Sequence, residues 1–259
     1  MCATPVSITR AGEASAADEA EHAARVNLAA CYRLIAHYGM DDKTSTHISA
    51  RVPGRSDLFL LNPAGRLFGQ IRASDLVKID LSGAIVEDTP HSVNPAGYVI
   101  HSAVLASRPD VRCVIHTHTT AGMAVAALEC GFLPLNQKSM RFYNRIAYHD
   151  YEGYADDLEE RDRLVADLGR SNYMILRNHG LLVCGPSIWT AFRWMYTLET
   201  ACQVQVAAMQ TGHPLRLPAP EVCEHAAAQA DRPRNHDTPP AEWFALLDML
   251  DSQDPSFRN

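Results

Sequence analysis

The chain has 259 residues, a hydrophobic content of 47% and a formal net charge of −7. That length holds one large α/β domain or at most two small ones, and the acidic balance speaks against a nucleic-acid partner, which requires a basic face. No signal-peptide pattern opens the sequence and no apolar stretch reaches spanning length, so a cytoplasmic protein with no membrane partner is expected.

Residues 1–17 read as a flexible, Ala-rich tail. Ala23, Val26, Leu28, Ala29, Cys31, Leu34 and Ile35 then recur at helical spacing, which predicts a helix over 18–37 ended by Gly39. Two short strands, 46–52 and 58–61, flank the turn-forming Pro53-Gly54, and Asn62-Pro63-Ala64-Gly65 makes a tight turn. Residues 76–81 alternate as a third strand that turns at Ser82-Gly83. Hairpin-joined strands of this kind build an antiparallel sheet rather than repeating βαβ units. Asn94 as N-cap and Pro95 at the first helical position predict a second helix to about Ser107, followed by a strand through His116 and a helix-compatible run over 121–128.

Residues 141–154 read as irregular and aromatic, with Arg141, Tyr143, His149 and Tyr151 as a candidate substrate wall or subunit contact. The acidic run from Asp156 to Glu160 is expected to open a solvated helix over 158–168. Strands are predicted over 173–177 and 181–184, joined by Asn178-His179-Gly180, and a long helix over 186–210 follows. Trp189, Phe192, Trp194 and Tyr196 on that helix are expected to pack in the core or an interface. Residues 213–259 are Pro-rich and read as an arm laid on another surface. The seven cysteines, without a Cys-x-x-Cys pair, are expected to be buried, reduced thiols.

His116 and His118 carry the most chemistry. In an extended strand residues i and i+2 share a face, with bases roughly 6–7 Å apart, so both rings reach one metal ion. Neutral imidazole suits zinc, iron, copper and nickel. The pair alone fits equally well two histidines on a solvated strand end. His179, held at the tip of a rigid turn, supplies a third imidazole, and three leave at least one coordination position open, as in a catalytic site.

Asn94-Pro95-Ala96-Gly97-Tyr98-Val99-Ile100-His101, then Arg108-Pro109-Asp110-Val111 leading into His116-Thr117-His118-Thr119, then Leu176-Arg177-Asn178-His179-Gly180-Leu181 resemble, in order and spacing, the class II aldolase/adducin family. The resemblance spans roughly residues 22–212, within a domain drawn at 18–212. It implies an α/β fold, a three-layer α/β/α sandwich on a mainly antiparallel central sheet, and a homotetramer with sites near subunit interfaces. It also implies one divalent metal ion per subunit held by His116, His118 and His179, zinc first, with iron(II) or manganese as alternatives.

Two departures shape the expected activity. Where the family's sugar-phosphate aldolases carry an acidic proton-transfer base, the resemblance puts Tyr98, a phenol with reference pKa near 10 that suits proton donation better than base work. His101, one helical turn on, is the other proton-transfer candidate. Asn-Pro-Ala-Gly occurs at 62–65 and again at 94–97, in the place of serine-bearing turns that bind the phosphate, and the serines are replaced by Ala64 and Ala96. The lost hydroxyls favour a carboxylate over a phosphate and make Asn62, Gly65, Asn94 and Gly97 substrate-binding candidates. His47 joins them, because it stands where those enzymes have a substrate-touching asparagine. The expected function is a metal-dependent carbon–carbon lyase, of aldolase or decarboxylase type, on a small hydroxy- or keto-carboxylate. A non-haem iron oxygenase and a non-catalytic adducin-like assembly module are the alternatives, with dehydratase or epimerase activity also open within the fold.

Overall fold

Ser15 opens the first helix of the computed structural model, which describes residues 15–153 and 160–259. The helix α1 (Ala16–His37) starts on a capping box in which Asp18 N–H donates to Ser15 Oγ at 3.2 Å and Ser15 N–H donates to Asp18 Oδ2 at 3.1 Å. It ends where Gly39 takes a φ of 65°, a left-handed conformation that stops the helical ladder. Of the expected tail over 1–17, Ala16 and Ala17 therefore lie in α1, and residues 1–14 fall outside the described residues.

Strands β1 (His47–Arg51) and β2 (Leu58–Leu61) form the expected hairpin, and β3 (Val77–Asp80) adds to its outer edge. On the other side come β4 (Cys113–Thr117), β5 (Ile146–His149), β6 (Tyr173–Leu176) and β7 (Gly180–Gly185). The sheet order is β3-β2-β1-β4-β7-β6-β5, antiparallel throughout except for the parallel pair β5 and β6. Alternating side chains feed two cores. Ile48, Cys113, Ile115, Leu181 and Val183 face α1 and the long α6 (Ile188–Gln210). Phe59, Val77, Val114, Leu182 and Cys184 face Ile100 and Val104 of α2 (Pro95–Ser107) and Leu164 and Leu168 of α5 (Glu160–Leu168). Helices thus cover both faces of a mainly antiparallel sheet, the three-layer α/β/α sandwich that the sequence implied.

The structure departs from the sequence reading at three places. Within 141–154, expected to be irregular, Ile146–His149 form the edge strand β5, paired in parallel with β6. Its residues lack the polar and apolar alternation of a half-buried strand, and its partner lies beyond an intervening helix. The four-residue α4 (Gln137–Met140) is too short for any periodicity and is capped by Asn136. The C-terminal 213–259 holds two helices, α7 (Pro220–Ala230) and α8 (Ala241–Gln253), and packs on the chain's own α1. Trp243, Leu247, Leu250 and Phe257 enter the α1/α6 core, Arg33 pairs with Asp254 at 2.8 Å, and Ser74 N–H donates to the Asn259 carbonyl at 2.8 Å.

Among the described cysteines, Cys31, Cys113, Cys184, Cys202 and Cys223 are buried and Cys130 is exposed, all as free thiols; Cys2 lies outside the described residues. So do residues 156–159 of the acidic run. No described helix is long and apolar enough to cross a membrane.

Candidate metal centre

His116 sits on β4 in register between His47 of β1 and Leu182 of β7, and His118 follows just past the strand end. His179 arrives from the turn between β6 and β7, where Asn178 takes a φ of 56° and His179 N–H donates to the Leu176 carbonyl at 3.1 Å. The next residue must be glycine. A Cβ at Gly180 would run into the Thr117 carbonyl oxygen and sit 3.1 Å from His118 Cδ2. The missing side chain lets the turn close onto the end of β4, and the three rings meet.

Their Nε2 atoms converge, His116 to His118 at 2.8 Å and His118 to His179 at 2.9 Å. These separations are somewhat shorter than the roughly 3.3 Å edge of a tetrahedral site with metal–nitrogen bonds of about 2.0 Å. The tautomers decide what such closeness means. His116 Nδ1 lies 2.9 Å from the Leu181 carbonyl, which only accepts, so the proton is on Nδ1 and Nε2 is a bare lone pair. His118 Nδ1 lies 3.2 Å from the Asp42 carboxylate, so in the neutral, metal-binding form of the ring the proton is on Nδ1 and Nε2 is bare. Two lone pairs facing each other repel unless a cation lies between them. The donor set therefore fits a divalent metal.

Burial keeps two of the three rings, His179 and His116, in ligand form. Burial, then the neighbouring His118 and His149, pushes His179 down to about 4. Burial, reinforced by the adjacent histidines, holds His116 well below the usual imidazole range. Neutral imidazole is the species that coordinates metals. Around the triad, Thr119 donates its hydroxyl to the buried Glu199 of α6 and accepts from Gly122 N–H at 3.2 Å as N-cap of α3 (Thr120–Ala126), which pins the residue next to His118.

A second layer of histidine lies on β1 and α2. The His47 ring stacks on His116 at 6.0 Å between centroids and stands edge-on to His101 at 5.7 Å. It occupies the space beside Gly97, where a Cβ would lie 2.6 Å from the ring. Both His47 nitrogens and His101 Nε2 are buried without a hydrogen-bond partner, whereas His101 Nδ1 bonds Ser49 Oγ at 2.6 Å. Burial pushes His47 down to about 4 and His101 well below its ordinary value. Buried polar atoms are rarely left unmatched, so unpartnered nitrogens in contact with a metal-type triad mark a place for a polar ligand.

The other sequence candidates are not drawn in equally. On α2 the residues turned toward β1 are Gly97 and His101, four apart. Tyr98 turns toward β3: its hydroxyl donates to the Leu81 carbonyl at 3.0 Å, its ring lies over Gly83, and Arg161 stands 5.8 Å from the ring centroid. The structure thus puts Gly97, not Tyr98, on the side of α2 that meets the histidines. Asn62 is buried and structural, its Oδ1 accepting from the Tyr32 hydroxyl at 2.9 Å. Gly65 is exposed in its turn at a φ of 76°, and Asn94 caps α2 with its carbonyl accepting from Tyr98 N–H at 3.2 Å. The Asn-Pro-Ala-Gly turn at 62–65 lies beside the segment that leads into α2, where the second copy forms the helix start, since Ala64 N–H donates to the Ser92 carbonyl at 2.8 Å.

From the aromatic segment, Tyr151 stands edge-on to His179 at 6.2 Å. His149 bonds Asp167 at 2.7 Å and Glu160 at 3.4 Å, while Arg141 ends α4. Sequence reasoning missed Asp42, Ser49 and Glu199. Ser49 was within reach, being i+2 from His47 on the same strand face. Nothing in the spacing of Asp42 or Glu199 relates them to the triad.

A mainly antiparallel sheet sandwiched between helices, with three histidines converging past the ends of its central strands, defines the class II aldolase scaffold. The family model for the Class II Aldolase and Adducin N-terminal domain matches residues 26–206, and the chain belongs to that family. It is similar, at 50% identity over 242 residues, to a Pseudomonas aeruginosa protein provisionally named a class 2 aldolase, with 92% of this chain and 93% of that one aligned. Rat alpha-adducin is 41% identical over 209 residues, which span 80% of this chain but 28% of the adducin. Among solved structures, an aldolase II superfamily protein from Pseudomonas syringae superposes with a TM-score of 0.88 at 48% identity, covering 93% of this chain and 96% of that one.

Proposed function

We propose that the chain is a metal-dependent carbon–carbon lyase, of aldolase or decarboxylase type, acting on a small hydroxy- or keto-carboxylate. The observation that carries this reading is the convergence of the three Nε2 atoms, with the Leu181 carbonyl and the Asp42 carboxylate set against the other ring nitrogens of His116 and His118. A divalent ion held by these residues, zinc in first place and iron(II) or manganese next, would supply Lewis acidity to a substrate's paired oxygens. The protein's part is to orient the three ligands, to keep His116 and His179 neutral through burial, and to offer His47 and His101 as the polar groups nearest the substrate. Each neutral ring carries one N–H to donate and one nitrogen to accept, and His47 has both uncommitted. Proton transfer then falls to His101 and His47, because the Tyr98 hydroxyl is engaged by Leu81. Ala64 and Ala96 remove two hydroxyls from the two Asn-Pro-Ala-Gly segments, which favours a carboxylate over a phosphate at that end of the site.

The similarity to alpha-adducin favours one second reading, a non-catalytic assembly module that keeps the metal for structure. Activity separates the two. Metal-loaded protein is expected to cleave or decarboxylate a hydroxy- or keto-carboxylate and to prefer it over the matching sugar phosphate. Alanine at His116, His118 or His179 is expected to abolish both bound metal and turnover. Full turnover in metal-free protein contradicts the lyase reading, and full metal content with no turnover on any carboxylate favours the assembly module. Substrate-dependent oxygen uptake by iron-loaded protein would instead place the chain with oxygenases. The reading includes a cytoplasmic homotetramer with sites near subunit interfaces, which light scattering after size-exclusion chromatography tests through a mass four times that of the chain.

A further inference from the structure

At the end of the sheet opposite the histidines, where β5, β6 and α6 begin, a groove of about 810 Å³ runs between the sheet edge and residues 230–240. Its charge is opposite to that of the chain. Arg141, Arg145, Arg170, Arg193, Arg232 and Arg234 line it, against two lining carboxylates, Asp167 and Asp231. Both carboxylates are committed, Asp231 to Arg145 at 2.9 Å and Asp167 to His149 at 2.7 Å. Arg145 is matched again by Glu224 at 2.6 Å, whereas among the described residues Arg193 pairs with Glu242 at the longer distance of 3.9 Å. Arg141 Nε is buried with no hydrogen-bond partner, and its charge is disfavoured by burial and by the nearby Arg193 and Arg234, with Asp231 as the nearby counter-charge. Six guanidiniums against two lining carboxylates leave an excess of like charge, whose cost a bound anion lowers.

The remaining wall is aromatic. Tyr173 and Trp194 pack edge to face at 5.2 Å, and His236 lies 6.2 Å from Trp194. The Trp189 indole N–H, also lining the groove, is buried and unpartnered. We propose that this groove binds a nucleoside phosphate, with its phosphates on Arg141, Arg193 and Arg234 and its base against the indole wall. Guanidinium forks match phosphate oxygens bidentately, and flat π faces accept a base without reading its sequence. The volume falls within the roughly 300–1,000 Å³ of small-molecule sites. One wall comes from residues 230–240, beyond the 26–206 family match, so the site is an addition to the scaffold rather than part of its histidine centre.

Isothermal titration calorimetry of the full-length protein with ADP, adenosine and pyrophosphate tests this. ADP is expected to bind at least about tenfold more tightly than adenosine or pyrophosphate. Arg193→Met and Arg234→Met, at half-exposed and exposed positions that spare the fold, are each expected to weaken ADP by about tenfold or more. Arg141→Met should do the same, and His179→Ala should leave ADP binding unchanged. Four results overturn the proposal: no ADP binding at millimolar concentration, ADP affinity indifferent to the Arg193 and Arg234 substitutions, pyrophosphate binding as tightly as ADP, or ADP binding lost in His179→Ala.

Discussion

Gly180 shows how much of the site depends on a side chain that is not there. A Cβ added there would run into the Thr117 carbonyl and crowd the His118 ring, so Gly180→Ala must push the β6–β7 turn away from β4 and carry His179 with it. The expected outcome is a cost of about 1–3 kcal/mol in urea unfolding together with loss of metal stoichiometry; unchanged metal content would show that the turn has slack. Asp42→Ala acts by another route, removing the carboxylate that fixes the His118 tautomer. Metal affinity measured by competition with a chelator is expected to drop roughly 10–100-fold with the fold intact. The triad was legible in the sequence, His116 and His118 through the i, i+2 rule and His179 through its turn and the family pattern, although their meeting depends on the pairing of β4 with β7. Tyr98 was not. Which face of α2 meets the sheet depends on how the helix docks, and that is fixed by Val104 and Ile100 packing on β-strand side chains far away in sequence.

The C-terminal helices explain why a Pro-rich segment can be read as an arm and still fold. Pro220 sits at the start of α7 and Pro240 at the N-cap of α8, positions where a missing N–H costs nothing and a fixed φ helps. The prolines therefore begin helices that composition alone reads as loop. α8 is anchored by Trp243, which is 1% exposed and donates its indole N–H to Asn27 Oδ1 of α1 at 2.7 Å. Trp243→Ala is expected to destabilise the protein by about 3–5 kcal/mol in chemical unfolding, and a cost below 1 kcal/mol would mean that α8 contributes little to the core. The strands that carry the histidines were visible because they are apolar and bounded by turns. β5 was not, since a four-residue parallel edge strand gains its identity from pairing with β6 rather than from its own pattern.

Across the whole molecule the buried imidazoles couple the site to stability. His47 and His179 are held down at about 4, and His101 and His116 also lie well below their ordinary value, in each case chiefly by burial. In the unfolded chain these groups take up protons near pH 6.5. The unfolded state therefore binds more protons below that pH, so their contribution is full above pH 6.5 and is lost as pH falls toward 4. Thermal melts of chelator-treated protein are expected to show a midpoint that is flat from pH 7 to 8 and falls steeply between pH 6.5 and 4; a flat midpoint across that window would contradict burial of neutral histidines. Two of these rings, His116 and His179, belong with His118 to the triad proposed to hold one catalytic metal ion. Elemental analysis of anaerobically purified protein, run beside His118→Ala, tests that role most directly. About one divalent ion per chain is expected in the parent protein and none in the variant; a folded parent that contains no metal and takes up none would contradict a metal-holding triad.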